Sequence, residues 1–321
     1  MSGVKVTYMT NAVPSRHIVV VTTGGTIACT ADEQGALVPT KTGDDLIEAI
    51  TPQLEGSGIS LSWHPLTQLD SSSLTMKDLD LIVGCIREVF EDESVDGIVV
   101  THGTDSMEES ALAVDTLIDD PRPVIFTGAQ HPFDDPDTDG PQNLFEAVMT
   151  AGEPSARGIG TLIVFGHAVI PARGALKFHT SDELAFGTNA PEEPERADPV
   201  PPVTLADTRV DVLYAYPGAP RDLIDNALAS GSQGIVVEAM GNGNVGTEFA
   251  EGLGDVLEKG IPVVISTRVP RGDVSGTYGG VGGGKTLLDK GALGSKYFRA
   301  GQSRILLAIA IASGRHPATL F

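Results

Sequence analysis

The sequence predicts an α/β fold in two domains, and three observations carry that expectation. Short continuous runs rich in Val and Ile recur along the chain, amphipathic stretches of helical period separate them, and one proline-rich acidic stretch interrupts the alternation. Apolar strands of this kind between helices are what a largely parallel sheet, covered on both faces, requires. At 321 residues the chain exceeds the usual ~150 residues of one domain and is long enough to bury a sizeable core.

Taken in order, strands are predicted at 18–22 and 59–66, followed by a helix over 75–91. There Leu79, Ile82, Ile86, Val89 and Phe90 fall on one stripe. A strand at 97–101 leads into a helix over 105–118, a strand at 123–127 into a helix over 140–150, and a further strand follows at 161–165. The stretch from Asn189 to Asp207 is acidic, rich in proline and without periodicity, as linkers are. It divides the chain into an N-terminal domain (1–190), a linker (191–208) and a C-terminal domain (209–321). The last has strands at 210–214, 234–237 and 262–266 and helices over 220–229 and 247–259. No internal repeat is visible.

Composition excludes several function classes. With 43 acidic against 21 basic residues, the net charge of −22 leaves no basic surplus to neutralise phosphates and would repel an anionic membrane. Solubility, or a salt-rich host, is the plainer reading of the acidity. Cys29 and Cys85 are too few for a disulfide framework, which fits a reducing compartment. The first seventeen residues hold no signal-like apolar core, and the longest apolar run, 305–312, is far short of a membrane span. A soluble cytoplasmic protein is expected.

Four segments are informative. Thr23-Gly24-Gly25-Thr26-Ile27-Ala28 follows the first strand, so two glycines permit a tight turn that presents a hydroxyl outside the strand's carboxyl end, where open parallel sheets bind ligands. Taken alone it is a plain Gly-Gly turn; the polar stretch 31–43 after it has the length of a lid. Thr101-His102-Gly103-Thr104-Asp105 again joins a strand to a helix, with Asp105 and Glu108 spaced as a capping box. Asp70-Ser71-Ser72-Ser73 offers small hydrogen-bonding groups but equally resembles N-caps. Lys177, among Ala175, Leu176 and Phe178, is a candidate proton acceptor, against the commoner snorkelling surface lysine.

Together, the segments 23–28 and 101–105 resemble those of the bacterial-type L-asparaginase family. Further matches are Thr127-Gly128-Ala129, Asp139-Gly140-Pro141-Gln142-Asn143-Leu144, Gly241-Asn242-Gly243-Asn244 and Ser266-Thr267-Arg268-Val269-Pro270, in family order over almost the whole chain. The resemblance implies a larger N-terminal parallel-sheet domain, a smaller C-terminal flavodoxin-like domain, and a homodimer or homotetramer with active sites between subunits. It also implies that Thr26 is the first nucleophilic threonine and that Thr104, Asp105 and Lys177 form the second catalytic group. Ser71 and Asp105 would hold the α-carboxylate and α-amino groups of L-asparagine. Gly25, Ser72 and Ala129 would line the substrate, and a neighbouring subunit would supply Asn244. No metal or organic cofactor is implied.

The residue types suit deamidation, an acyl transfer in which a hydroxyl attacks the side-chain amide, ammonia leaves and water hydrolyses the ester. Lysine would take the hydroxyl proton directly or through the second threonine, and strand-end N–H groups, Ala129 among them, would stabilise the oxyanion. With Asp105 as a buried ammonium anchor, amides lacking an α-amino group should be poor substrates. Glutamine differs by one methylene, worth only about 1–3 kcal/mol, so weak glutaminase activity is expected. The family's secreted members carry a lid tyrosine and an acidic residue from the neighbour; residues 36–40 hold no tyrosine and 274–277 no acid, leaving Tyr278 as the nearest candidate for either role.

Residues 279–286 match the P-loop pattern, yet such a loop must follow a strand immediately. Residues 135–146 match the EF-hand pattern, but a strand is predicted where the first flanking helix should be, and Asp139 suits a helix cap. Cys29 beside Thr26 has no assignable His or Asn partner and reads as a small packed residue, and His102 reads as a packed, hydrogen-bonded histidine. The asparaginase-like subunit of a tRNA-dependent amidotransferase shares the catalytic set, but carries an extra N-terminal domain where about sixteen residues stand here.

Overall fold

The alternation of apolar runs and amphipathic segments is realised in a computed structural model that describes residues 16–192 and 194–321. The expectation about the first seventeen residues therefore falls almost entirely outside the described part. In chain order the N-terminal elements are β1 (Arg16–Gly24), β2 (Cys29–Ala31), β3 (Leu37–Pro39), α1 (Gly43–Ile50), β4 (Ile59–Leu69), α2 (Met76–Phe90), β5 (Gly97–Thr101), α3 (Met107–Leu117), β6 (Val124–Thr127), α4 (Gly140–Gly152), β7 (Leu162–Phe165), β8 (Ala168–Pro171), β9 (Ala175–Lys177) and β10 (Phe186–Thr188). After an irregular stretch come β11 (Val210–Tyr214), α5 (Asp222–Ala229), β12 (Gly234–Ala239), α6 (Thr247–Glu258), β13 (Val263–Thr267), α7 (Gly284–Asp289), β14 (Leu293–Gly294) and α8 (Ala300–Ser313).

The larger sheet runs β4-β1-β5-β6-β7-β8, parallel except for the antiparallel edge strand β8. β1 pairs with β4 on one side and β5 on the other, so the strand order reverses there. Ligands of open parallel sheets bind in the crevice beyond the carboxyl ends of the strands at such a reversal. The period of two sorts each strand between two cores. Val19 and Val21 of β1 pack with α2 and α3, whereas Ile18 and Val20 face α1 and α4. The smaller sheet runs β11-β12-β13-β14, all parallel and in sequence order. The order reversal typical of a flavodoxin-like sheet is thus found in the larger domain, while the smaller one is a sequential parallel sheet.

One face of the smaller sheet, with Ile235, Val237 and Ile265, packs on α5, α6 and α7. Its other face, with Val236 and Val264, packs on α8, and α8 itself packs on α3, so the two sheets share one apolar cluster. This is why α8 escapes prediction. Ile305 to Ala310 are fully buried, leaving no polar face to betray a helical period.

The acidic stretch between β10 and β11 holds no helix or strand among its described residues, but it is no free tether. Val200 N–H donates to Thr116 O (2.8 Å), Leu205 N–H to the Asp80 carboxylate (2.8 Å) and Arg196 to Asp115 O (2.9 Å), with Val200 and Leu205 buried.

Three capping expectations are corrected. Asp105 does not cap α3: it turns to Lys177, and Glu108 to the Lys177 backbone, while the N-cap is Ser106, whose hydroxyl donates to Ser71 O instead of capping the helix. The serines at 71–73 form a turn of 3₁₀ helix, and Thr75 caps α2 in a reciprocal box with Asp78. Asp139 does stand at the N-cap of α4, but its carboxylate accepts from the N–H groups of Gln130 and His131 instead of capping the helix.

Candidate active site

Three strand ends converge at the order reversal, and glycine lets them touch. Gly24 and Gly25 have φ of +111° and +89°, a left-handed conformation that other residues adopt only with strain. A Cβ on Gly25 would lie 2.6 Å from Gly103 N, and one on Gly24 would lie 2.7 Å from Leu69 O. Gly103 in turn leaves room for Ser71, whose Oγ would stand 2.4 Å from an added Cβ. The ends of β1, β5 and β4 are thereby drawn around a cavity of about 450 Å³.

Gly25, Thr26, Ser71, Thr104 and Asp105 line this cavity, with Gly103 and Asp70. Thr26 opens a turn of 3₁₀ helix directly after Gly25, which puts its hydroxyl beyond the strand end. Ser71 is buried, and its Oγ accepts from Asp105 N–H at 3.3 Å. Lys177, brought in by the short antiparallel pair of β9 and β10, donates from Nζ to Thr104 Oγ1 at 2.7 Å and to Asp105 Oδ1 at 3.2 Å. A lysine nitrogen 2.7 Å from a hydroxyl is the geometry of a proton relay.

The surroundings explain which groups titrate abnormally. Burial pushes the Glu108 carboxyl up to about 7, opposed mainly by the bond it accepts from Lys177 N–H. His102 is 1% exposed, and desolvation drives its pKa down to about 4. The ring is therefore neutral, with Nδ1 against Gly103 O (2.7 Å) and Nε2 buried without a partner. It is the packed histidine the sequence suggested, braced by the Phe126 ring.

Three expectations are not met within the subunit, and Asn244, expected from a neighbour, stands apart from this cavity. Ala129 is 1% exposed, packed in the core beside α4, and does not line the cavity. Ser72 is exposed, its N–H given to Asp70 Oδ1. Asn244 lies at a different cavity of about 380 Å³, formed with Tyr278 and the glycine loop, where its Oδ1 accepts from Gly284 N–H at 3.1 Å. Asp105 is not buried: its side chain is 60% exposed and already paired with Lys177, so the burial argument against simple amides does not hold for the lone chain.

Other lining residues were not among the expected site residues. Cys29 is half-buried in the cavity wall, with Sγ–H against Gly25 O at 3.3 Å, rather than simply packed. Leu37 and Pro39, from the exposed β2–β3 hairpin, form the rim; their only signal was the lid-length stretch 31–43. Gln68 contributes because β4 runs three residues beyond its predicted end. The glycine run at 279–283 begins twelve residues after β13 ends, and Lys285 pairs with Asp289 at 2.8 Å, so the strand-loop-helix setting of a P-loop is lacking.

Two family models match. "Asparaginase, N-terminal" covers residues 17–198 and "Glutaminase/Asparaginase C-terminal domain" covers 209–320. The chain is 31% identical to an L-asparaginase of Bacillus licheniformis over 93% of its own length and 96% of that protein. It is 32% identical to a probable L-asparaginase of Deinococcus radiodurans, over 93% and 94% respectively. The crystal structure of a probable cytoplasmic L-asparaginase from Campylobacter jejuni superposes with a TM-score of 0.80 at 27% identity, covering 95% of this chain and 98% of the other.

Proposed function

This chain belongs to the asparaginase family, and on that premise we propose that it hydrolyses L-asparagine to L-aspartate and ammonia. The observation that carries the proposal is the contact of Lys177 Nζ with Thr104 Oγ1 and Asp105 at the cavity that Thr26 lines. Thr26 attacks the side-chain amide carbon, and its hydroxyl proton passes to the Lys177 and Thr104 pair. Ammonia takes a proton as it leaves, and water, deprotonated by the same pair, releases aspartate from the ester. For the relay to accept a proton, Lys177 must act as the free amine, and the paired Asp105 orients it. Ser71 can accept from Asp105 N–H and still donate its hydroxyl hydrogen to the substrate carboxylate.

The same site would admit glutamine weakly, since one methylene is worth about 1–3 kcal/mol. We place the enzyme in the cytoplasm: two unpaired cysteines suit a reducing compartment, and no helix among the described residues can cross a membrane. The catalytic assembly is an oligomer in which a neighbour brings Asn244, because Asn244 stands at a separate cavity of its own subunit. The test is ammonia release from L-asparagine and L-glutamine by wild type and Lys177→Met. Turnover of asparagine, lost in the variant, supports the reading. A folded wild type inert on both amides, or a fully active Lys177→Met, overturns it.

A further inference from the structure

We propose that Glu108 and Gln302 are positioning residues for Lys177, so that the last helix of the subunit holds part of the subunit's own catalytic site. This rests on the reading of Lys177 as the proton carrier for Thr104. Lys177 ends a three-residue strand whose ladder partner is the equally short β10. A ribbon of two short strands is marginal by itself, so something else must fix the lysine backbone.

Two side chains do so. Glu108 Oε2 accepts the Lys177 backbone N–H, from a position only four residues beyond Thr104. A single helical start therefore carries the hydroxyl, the Asp105 carboxylate and the clamp on the lysine. The clamp is itself held from the C-terminal domain. Gln302 of α8 is 1% exposed, and its Nε2 donates to Glu108 O at 3.0 Å and to Ala172 O at 2.7 Å. Its Oε1 accepts from Gly174 N–H at 2.9 Å. Ala172 and Gly174 lead directly into β9, so one carboxamide joins α3 to the segment that delivers Lys177.

A buried polar side chain is costly unless satisfied, and both donors and the acceptor of Gln302 are engaged. Helix α8 approaches closely here because residue 301 is glycine; a Cβ would stand 2.8 Å from Glu109 Oε1. Arg304, one turn along, pairs with Glu109 at 3.2 Å. The network thus fixes the distance between Nζ and Thr104 Oγ1, to which proton transfer is sensitive: a misplacement of ~1 Å costs on the order of 10²-fold.

The experiment is steady-state ammonia release from L-asparagine by the full chain, with Lys177→Met measured alongside. Glu108→Ala and Gln302→Leu should lower kcat by roughly 10- to 100-fold with KM changed less than about threefold. Glu108→Gln, whose amide oxygen can accept the same N–H, should recover most of kcat. Circular dichroism and melting separate loss of fold from loss of rate. If Gln302→Leu does not fold, the Glu108 pair decides. Wild-type kcat in folded Glu108→Ala, or Glu108→Gln impaired as deeply as Glu108→Ala, overturns the proposal. Full activity in Lys177→Met instead overturns the reading beneath it.

Discussion

Thr104 and His102 stand two residues apart and are both buried, yet the chain uses them oppositely. Thr104 meets the Lys177 side-chain nitrogen at the cavity, whereas desolvation keeps the His102 ring neutral. Thr104→Val keeps the shape and removes the hydroxyl, and kcat should fall by roughly 10³-fold or more while melting is nearly unchanged. For His102 the pH dependence has a definite sign. Its folded pKa lies below the unfolded value of 6.5, so its contribution is complete above pH 6.5 and is lost as pH falls through about 4. The loss is on the order of 3 kcal/mol. The stability gap between wild type and His102→Gln, measured by urea unfolding, should narrow from pH 7.5 to pH 4.5. Glu108, raised to about 7, acts with opposite slope, stability falling as pH rises from 4.5 through 7. It is common to both proteins and cancels in the difference. A pH-independent gap would contradict this account of His102.

The elements around the site depend on close backbone approach. Gly25→Ala places a Cβ 2.6 Å from Gly103 N at a φ of +89°, so the β1 and β5 ends must separate. Activity should fall by at least about tenfold, with a clear drop in melting temperature, because a strained backbone costs of order 1–3 kcal/mol. Gly35→Ala, also at positive φ but with nothing within 4 Å, is the control and should keep near-normal kcat. Much of this was legible. The strand ends at 97–101 and 210–214 fall where the apolar runs end, and the cavity threonines follow glycine at the order reversal. The illegible part has a common cause. Residues such as Gln302 in α8 and Leu37 in the hairpin reach the site through tertiary packing, which leaves no local period. Ala129 is the converse case: it follows the end of β6, but it is buried beside α4 and stands outside the cavity lining.

At the scale of the whole molecule, a net charge of −22 makes the folded chain repel itself. Raising NaCl from 0.1 to 1 M shortens the screening length from about 10 to about 3 Å. The melting temperature should therefore rise; a flat or falling trend would show that the acidic residues are too well paired to matter. Assembly gives a second test. With Asn244 at its own cavity and Thr26 at another, Thr26→Ala and Asn244→Ala subunits should each be inactive alone. Refolded together, they should regain up to about a quarter to a half of wild-type activity through hybrid sites, since additivity fails where two subunits share one site. Light scattering of active enzyme should show a dimer or larger, and an active monomer would contradict the shared site.

The most direct test of the central claim, a threonine that carries the acyl group, is the mass of the enzyme quenched during turnover of L-asparagine. Lys177→Met slows both steps, so wild type is used, quenched in acid within the first turnovers. A fraction of the protein should carry one added aspartyl group, mapped by peptide sequencing to Thr26 and absent from Thr26→Ala. An aspartyl group on another residue, or full turnover by Thr26→Ala, would contradict the account.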